Sequence, residues 1–260
     1  MITKPVFLWM IDLDDTLYLC VEDYNVADAE NIALMLREFS GSDLTGEKVM
    51  EVLQHHCDRL DAFYGRSRSR FQGSWKETYN ELCMRYGGEE RKDVVDQLLH
   101  NTERPYRRET FEQKGLFPGA AETLDFLVEQ GDRLMLVTRE KHVPGELLTQ
   151  KIKIDALGLN KPRSNGEPWF ESIHIVDEKT REVFSGLLNG WLPDHSVSAG
   201  DSWYDVTYPL DLGMRAVFVT SEHPTRMEKR TVEPLMHRPQ FHVVDAFAEI
   251  QGKYDLITRN

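Results

Sequence analysis

The chain is poor in cysteine, lacks any long apolar run and carries fewer bases than acids, and each shortfall removes a class of protein. Three cysteines in 260 residues, Cys20, Cys57 and Cys83, form no C-x-x-C pair. An odd number without pairing suits a reducing compartment better than a secreted disulfide framework. The apolar stretch from Val6 to Ile11 falls far short of the ~20 residues a membrane-spanning helix needs, and it runs directly into acids. A cytoplasmic protein without signal peptide, anchor or membrane partner is expected. Lys and Arg number 31 against 44 Asp and Glu, a formal net charge of −13, so the molecular field repels polyanions and nucleic acid is not an expected partner. No internal repeat, low-complexity tract or G-x-S-x-G elbow occurs. The stretch from Gly41 to Lys48 is not a phosphate-binding loop, since Glu47 stands at the lysine position and no strand precedes it. His55, His56 and Cys57 are neighbours on one helix and point to different sides, which argues against a zinc site.

What remains is a globular composition, 40% hydrophobic and 29% charged, in a chain long enough for one large domain or for a core with an inserted module. Short β-branched and aromatic runs predict buried strands: PVFLWMI before Asp12, RLMLV before Thr138, SIHIV before Asp177, HSVSA before Gly200, RAVFV before Thr220 and a weaker FHVV before Asp245. Helix-length segments separate them. One is GAAETLDFLVEQG, where Ala121, Leu124 and Val128 repeat at helical spacing and Gly131 supplies the stop. The alternation predicts an α/β fold with a Rossmann-like parallel sheet. It is interrupted once, between Asp12 and Leu134, where helices are expected over Asn25 to Phe39, Gly46 to Tyr64, Ser74 to Tyr86 and Glu89 to Asn101. The expected division is therefore a core of residues 1–20 and 114–260 and an inserted helical lid of residues 21–113. An insert directly after the first strand sits by the carboxyl edge of the sheet, where open α/β sheets bind ligands.

Asp12-Leu13-Asp14-Asp15-Thr16 comes directly after the first strand, so its carboxylates emerge at a strand end. With 20 Asp and 15 Thr in the chain, D-x-D-x-T is expected only about 0.1 times by chance, which sets it apart from an ordinary acidic turn. A second carboxylate pair, Asp201 and Asp205 in GDSWYD, comes after HSVSA and is spaced by one helical turn. Thr138 supplies a hydroxyl at a third strand terminus, and Lys179 opens the helical stretch KTREVFSGLLNG. Taken singly, that threonine reads as a helix cap and that lysine as a solvated side chain.

In this order, carboxylate pair, hydroxyl, lysine and second carboxylate pair, the chain resembles the haloacid dehalogenase-like superfamily and its aspartate-nucleophile phosphatases, from Val6 to about Thr220. Lys161, with Pro162 after it, is a second candidate for the lysine motif. Lys179 is preferred because it lies after a strand and precedes Asp201 by some twenty residues, whereas Lys161 lies in a polar loop. The resemblance implies an enzyme, a phosphoric monoester hydrolase for a small phosphorylated metabolite, with a helical cap between its first two motifs. Asp12 would attack phosphorus to form an aspartyl-phosphate, while Asp14 would protonate the leaving group and later activate water. Thr138 and Lys179 would hold the phosphoryl oxygens, and Arg139 would contact the substrate anion. Four carboxylates facing a phosphate dianion require a hard divalent cation, and Mg²⁺ is the expected cofactor. Asp12, the Asp14 carbonyl and Asp201 are its implied ligands, with Asp205 a direct or outer ligand. An acid at position 14 favours phosphate esters, since a departing halide needs none.

Two rival activities use the same residue types: a phosphomutase, and a non-catalytic receiver-like protein regulated by a phospho-aspartate. Receivers are shorter and separate their acidic pair from the phospho-acceptor, unlike Asp12 and Asp14. In the insert, Arg66, Arg68 and Arg70 form a basic knot that could clamp a second anionic group or form a solvated turn, and Trp75 and Phe71 are core residues or stacking surfaces. Substrate identity and oligomeric state leave no signature in the sequence.

Overall fold

The computed structural model describes residues 5–163, 166–220 and 232–259; the outer limits expected for the core, residues 1 and 260, lie outside them. Six parallel strands form one sheet: β1 (Leu8–Ile11), β2 (Arg133–Arg139), β3 (Ser172–Val176), β4 (Ser196–Gly200), β5 (Arg215–Val219) and β6 (Phe241–Val244). Their order is β3-β2-β1-β4-β5-β6, the Rossmann arrangement. Every β1, β4 and β5 residue is buried, as expected for central parallel strands covered on both faces. Among the described residues the α-helices are α1 (Val21–Glu38), α2 (Gly46–Tyr64), α3 (Arg68–Tyr86), α4 (Lys92–Thr102), α5 (Arg108–Lys114), α6 (Ala120–Glu129), α7 (Thr149–Ala156), α8 (Arg181–Leu188), α9 (Trp203–Asp211) and α10 (Ile250–Thr258). The segment between β1 and β2 is a helical insertion comprising α1 to α6.

The residues group into two compact units: one of Met1–Val21, Lys114–Arg139 and Lys153–Asn260, which holds the sheet, and a helical one of Glu22–Gln113 and Glu140–Ile152. In the sheet unit, Leu8 and Met10 point to one face and pack with Val137, Phe184 and Leu188. The alternate residue Trp9 points to the other face and stacks on Tyr254 of α10, ring centroids 6.3 Å apart. That second face is closed by a buried polar knot. The Asp132 carboxylate, 3% exposed, accepts from Phe7 N (2.9 Å), Trp9 Nε1 (2.9 Å) and Tyr254 Oη (2.7 Å). It ties the start of β1 to the C-terminal helix, and together with burial it drives the Tyr254 phenol well above its ordinary pKa. Asp132→Ala strands three buried donors and is expected to cost about 3–5 kcal/mol, read as a lower urea midpoint at unchanged slope.

The helical unit has its own core, in which Phe71, Trp75, Tyr79 and Leu82 of α3 meet Val49, Val52 and Leu53 of α2. Thr45 caps α2 through Lys48 N (3.3 Å), and Ser67 caps α3 through Arg70 N (3.2 Å). Helix α3 begins six residues before its expected start at Ser74. Gly73, inside this helix, lets α2 approach: a Cβ there would lie 3.2 Å from Leu60 Cδ1. Arg68 pairs with Glu103 and Arg70 with Asp61, so two of the three basic side chains of the expected knot are engaged within this unit.

Asp28 accepts from Trp75 Nε1 at 3.0 Å, and burial raises its pKa to about 6 against the opposing pull of that bond and of Arg70. Because the folded-state value is raised, the stabilisation belongs to the protonated form: it is full at low pH and is lost as pH climbs through 6. Asp28→Asn is therefore expected to match the parent near pH 4 and to exceed it by about 1–2 kcal/mol at pH 7.5, measured by denaturant unfolding at both values. Among the described residues, no helix is long and apolar enough to cross a membrane.

Candidate active site

Sheet register brings the strand-end motifs together. Ile11 lies opposite Leu136 of β2 and Ala199 of β4, which sets Asp12 level with Val137 and Gly200 and puts Thr138 and Asp201 one residue further along. The Asp12 amide continues the ladder by donating to Ala199 O at 2.9 Å. Strand order reverses between β1 and β4, so Asp12 and Asp201 flank the crevice at the topological switch point.

At this point Lys179 Nζ lies 2.6 Å from both Asp12 Oδ1 and Asp205 Oδ1. The ammonium is 4% exposed, Asp12 6% and Asp205 2%, so three charged groups share a site largely closed to water. Lys179 does not open the helix, as the sequence suggests, but stands just before the N-cap Thr180, whose hydroxyl accepts from Val183 N (3.3 Å) and fixes the backbone there. Lys161, the other candidate, is exposed in the loop after α7. Asp205, in the first turn of α9, also accepts from Ser202 Oγ. Its carboxylate lies against the Gly200 backbone, where a Cβ would meet Asp205 Cγ at 2.4 Å, so only glycine admits it.

Asp12, Asp201 and Asp205 each present a carboxylate oxygen, all within 4.8 Å of one another. Such an all-oxygen donor set suits a hard divalent cation. In the absence of such an ion, burial raises the Asp12 pKa to about 7, with Lys179 pulling it down and Asp205 and Asp14 pushing it up.

The loop from Asp12 to Cys20 is a compact turn in which Leu17 N and Tyr18 N donate to Leu13 O (2.9 and 3.0 Å) and Asp15 N to Tyr18 O (2.7 Å). Asp15 adopts φ 55°, and its carboxylate accepts from Cys20 N (2.9 Å) and Val21 N (3.0 Å) at the start of α1. Thr138 is 1% exposed and lies within β2 rather than after it, since the strand runs on to Arg139. The Arg139 guanidinium stacks over the ring of Tyr204 at 5.1 Å, which links the end of β2 to the start of α9.

Sequence reasoning missed Lys153. It is 3% exposed, sits on α7 and donates from Nζ to Asp14 Oδ1. Only a helical phase that buries Lys153 together with Ile154 hints at it, and that pattern names no partner.

No family model matches the chain, and no curated protein does. Solved structures do. A haloacid dehalogenase-like family hydrolase from Xanthomonas campestris is 19% identical, with 98% of this chain and 97% of that one covered and a TM-score of 0.71. YfnB from Bacillus subtilis, bound to magnesium, is 18% identical over 99% and 100% of the two chains, with a TM-score of 0.55. L-2-haloacid dehalogenase from Xanthobacter autotrophicus, with chloropropionic acid covalently bound, is 15% identical over 96% and 98%, with a TM-score of 0.53. From end to end, the chain has the haloacid dehalogenase-like fold.

Proposed function

We propose that this protein is a Mg²⁺-dependent phosphatase that hydrolyses a small phosphorylated metabolite through an aspartyl-phosphate on Asp12. The observation that carries this reading is the meeting of Asp12, Asp201, Asp205 and Lys179 at the switch point of the sheet. A buried carboxylate whose oxygen is already within 2.6 Å of an ammonium suits attack on a phosphate that the same ammonium neutralises. Asp12, Asp201 and the Asp14 carbonyl would hold the ion, with Asp205 in its inner or outer shell. When bound, Mg²⁺ would neutralise phosphoryl charge and favour the ionised form of Asp12.

The remaining roles belong to the chain itself. The Asp12 carboxylate oxygen forms a bond to phosphorus as the bond to the leaving oxygen breaks, and Asp14, which enters this step in its protonated form, delivers its proton to that oxygen and is left as a carboxylate. In the second half the Asp14 carboxylate takes a proton from water as the water oxygen bonds to phosphorus and the bond between phosphorus and the Asp12 oxygen breaks, which releases inorganic phosphate and returns Asp12 as a carboxylate and Asp14 as an acid. Lys179 stays paired with Asp205 while it donates to the transferring group, and the Thr138 hydroxyl donates to another phosphoryl oxygen. Arg139, held over Tyr204, contacts the substrate anion.

The likeness to a haloacid dehalogenase makes carbon–halogen cleavage the natural rival. Asp14 weighs against it, because a halide leaves without a proton. The expected result is phosphate release from p-nitrophenyl phosphate and from members of a phosphorylated-metabolite panel in the presence of Mg²⁺, lost on chelation and restored by the ion. Halide release from 2-haloacids without phosphate release would overturn the proposal. An isomerised sugar phosphate would point to a mutase, and a stable phospho-protein without turnover to a regulatory role.

A further inference from the structure

Lys153 lies outside every motif that the proposed mechanism uses, yet it is one of the most deeply buried charges in the sheet unit, 3% exposed. Its ammonium donates to Asp14 Oδ1 and stands 5.2 Å from the centre of the Tyr18 ring. Asp14 and Tyr18 are bridged through their backbones within one turn of the β1 loop, so Lys153 meets both ends of that turn at once. Helix α7 is itself held at its start, where the Glu140 carboxylate accepts from Thr149 N (2.8 Å) and Gln150 N (2.7 Å). Lys153 lies one turn further on. A flexible four-carbon side chain buried in this way has lost its rotamer freedom and its hydration. A carboxylate and an aromatic face are the groups that offset such losses.

Asp14 differs from the other acids of the site. It is about a quarter exposed at 24%, whereas the Asp12 and Asp205 side chains are 8% and 3% exposed and are bound by Lys179. Proton transfer requires hydrogen-bond reach of the leaving oxygen, and at a partly exposed aspartate that reach depends on the orientation its hydrogen bonds impose.

We propose that Lys153 is a positioning residue that holds the Asp14 carboxylate in the orientation needed for proton transfer to the leaving group. It acts through a hydrogen bond alone and exchanges no covalent bond with substrate. This inference rests on the reading of Asp14 as the proton-transfer group.

The test compares kcat/KM for two esters in the presence of Mg²⁺: an alkyl phosphate, whose departing alkoxide needs a proton, and p-nitrophenyl phosphate, whose leaving group does not. Lys153→Met is expected to lower the alkyl value about 100-fold and the aryl value less than about 10-fold, the scale of misplacing a reacting group by about 1 Å. Lys153→Arg, which retains a cationic donor, is expected to recover the alkyl value to within about 5-fold of the parent, and this comparison stands even if the methionine variant does not fold. In an Asp14→Asn background, Lys153→Met should add little further selective loss. Equal losses on the two esters, or an alkyl value unchanged in Lys153→Met, would overturn the proposal. An Asp14→Asn variant that loses alkyl and aryl turnover equally would instead overturn the role of Asp14 itself. A selective Asp14→Asn with an unselective Lys153→Met removes the Lys153 proposal and leaves that of Asp14 intact.

Discussion

Asp12→Asn is expected to abolish turnover, by about 10⁴-fold or more, on every ester the parent hydrolyses, while leaving the fold at least as stable. The two halves of this expectation come from one geometry. An amide is nearly isosteric with the carboxylate, so the ladder bond from Asp12 N to Ala199 O and the buried packing survive. The amide oxygen can still accept from Lys179, which keeps Asp205 as its second partner at 2.6 Å. Burial raises the Asp12 pKa to about 7, so its ionised form opposes folding as pH rises through that value, and the amide removes this penalty. The variant should therefore unfold at an equal or higher temperature than the parent at pH 8, in the absence of added metal. An inactive variant that is also strongly destabilised would point to a structural role for Asp12 instead.

Lys179→Met carries the second large effect and has the opposite signature, because activity and stability fall together. One ammonium, 4% exposed, bridges two carboxylates that are themselves buried, and removing it leaves both facing each other across the site. Breaking a buried ion pair from one side costs about 3–5 kcal/mol. The deficit should shrink as pH falls, and from a higher pH than the parent's value of about 7, because Asp12 has lost the ammonium that held its pKa down; it should shrink again when Mg²⁺ supplies the missing positive charge. A rise in melting temperature with Mg²⁺ that is larger in Lys179→Met than in the parent is the expected pattern. Turnover should drop by about 10²–10³-fold even at saturating metal, since the phosphoryl group loses a donor. Unchanged stability in metal-free buffer would contradict the bridging role.

The parts of this site that are legible in the sequence are those tied to strands. All six strands can be read because a parallel sheet demands continuous apolar runs, and each run stops where the chain reaches the carboxyl edge. Asp12, Thr138, Lys179 and Asp201 are therefore found at or just beyond the end of an apolar run. Helix α2 spans its expected range and stops at Gly65, whereas the Ser67 cap starts α3 six residues before the expected position.

The features that escape the sequence depend on pairing over distance. Lys153 meets Asp14 across 139 positions, and a lysine on a helix reads as solvated until the fold shows it buried against that partner. Asp132 carries no signal of its own in the sequence, and its role appears only where Phe7, Trp9 and Tyr254 converge on it. Asp15 carries no assignment in the sequence beyond its place in the acidic motif, and its left-handed backbone and its bonds from Cys20 N and Val21 N emerge only in the fold. The grouping of Glu140–Ile152 with the helical unit is likewise a property of contacts, since nothing in the composition of that stretch separates it from the core.

Trapping the covalent species tests the central claim most directly. The protein is quenched in acid during turnover of a phosphate ester with Mg²⁺, reduced with borohydride and digested, and the peptide carrying MIDLDDTLY is mapped by mass spectrometry. The account predicts conversion of Asp12 alone to homoserine, dependent on substrate and absent from Asp12→Asn. Steady turnover with an unmodified Asp12, or with the mark on Asp14, Asp201 or Asp205, would contradict it.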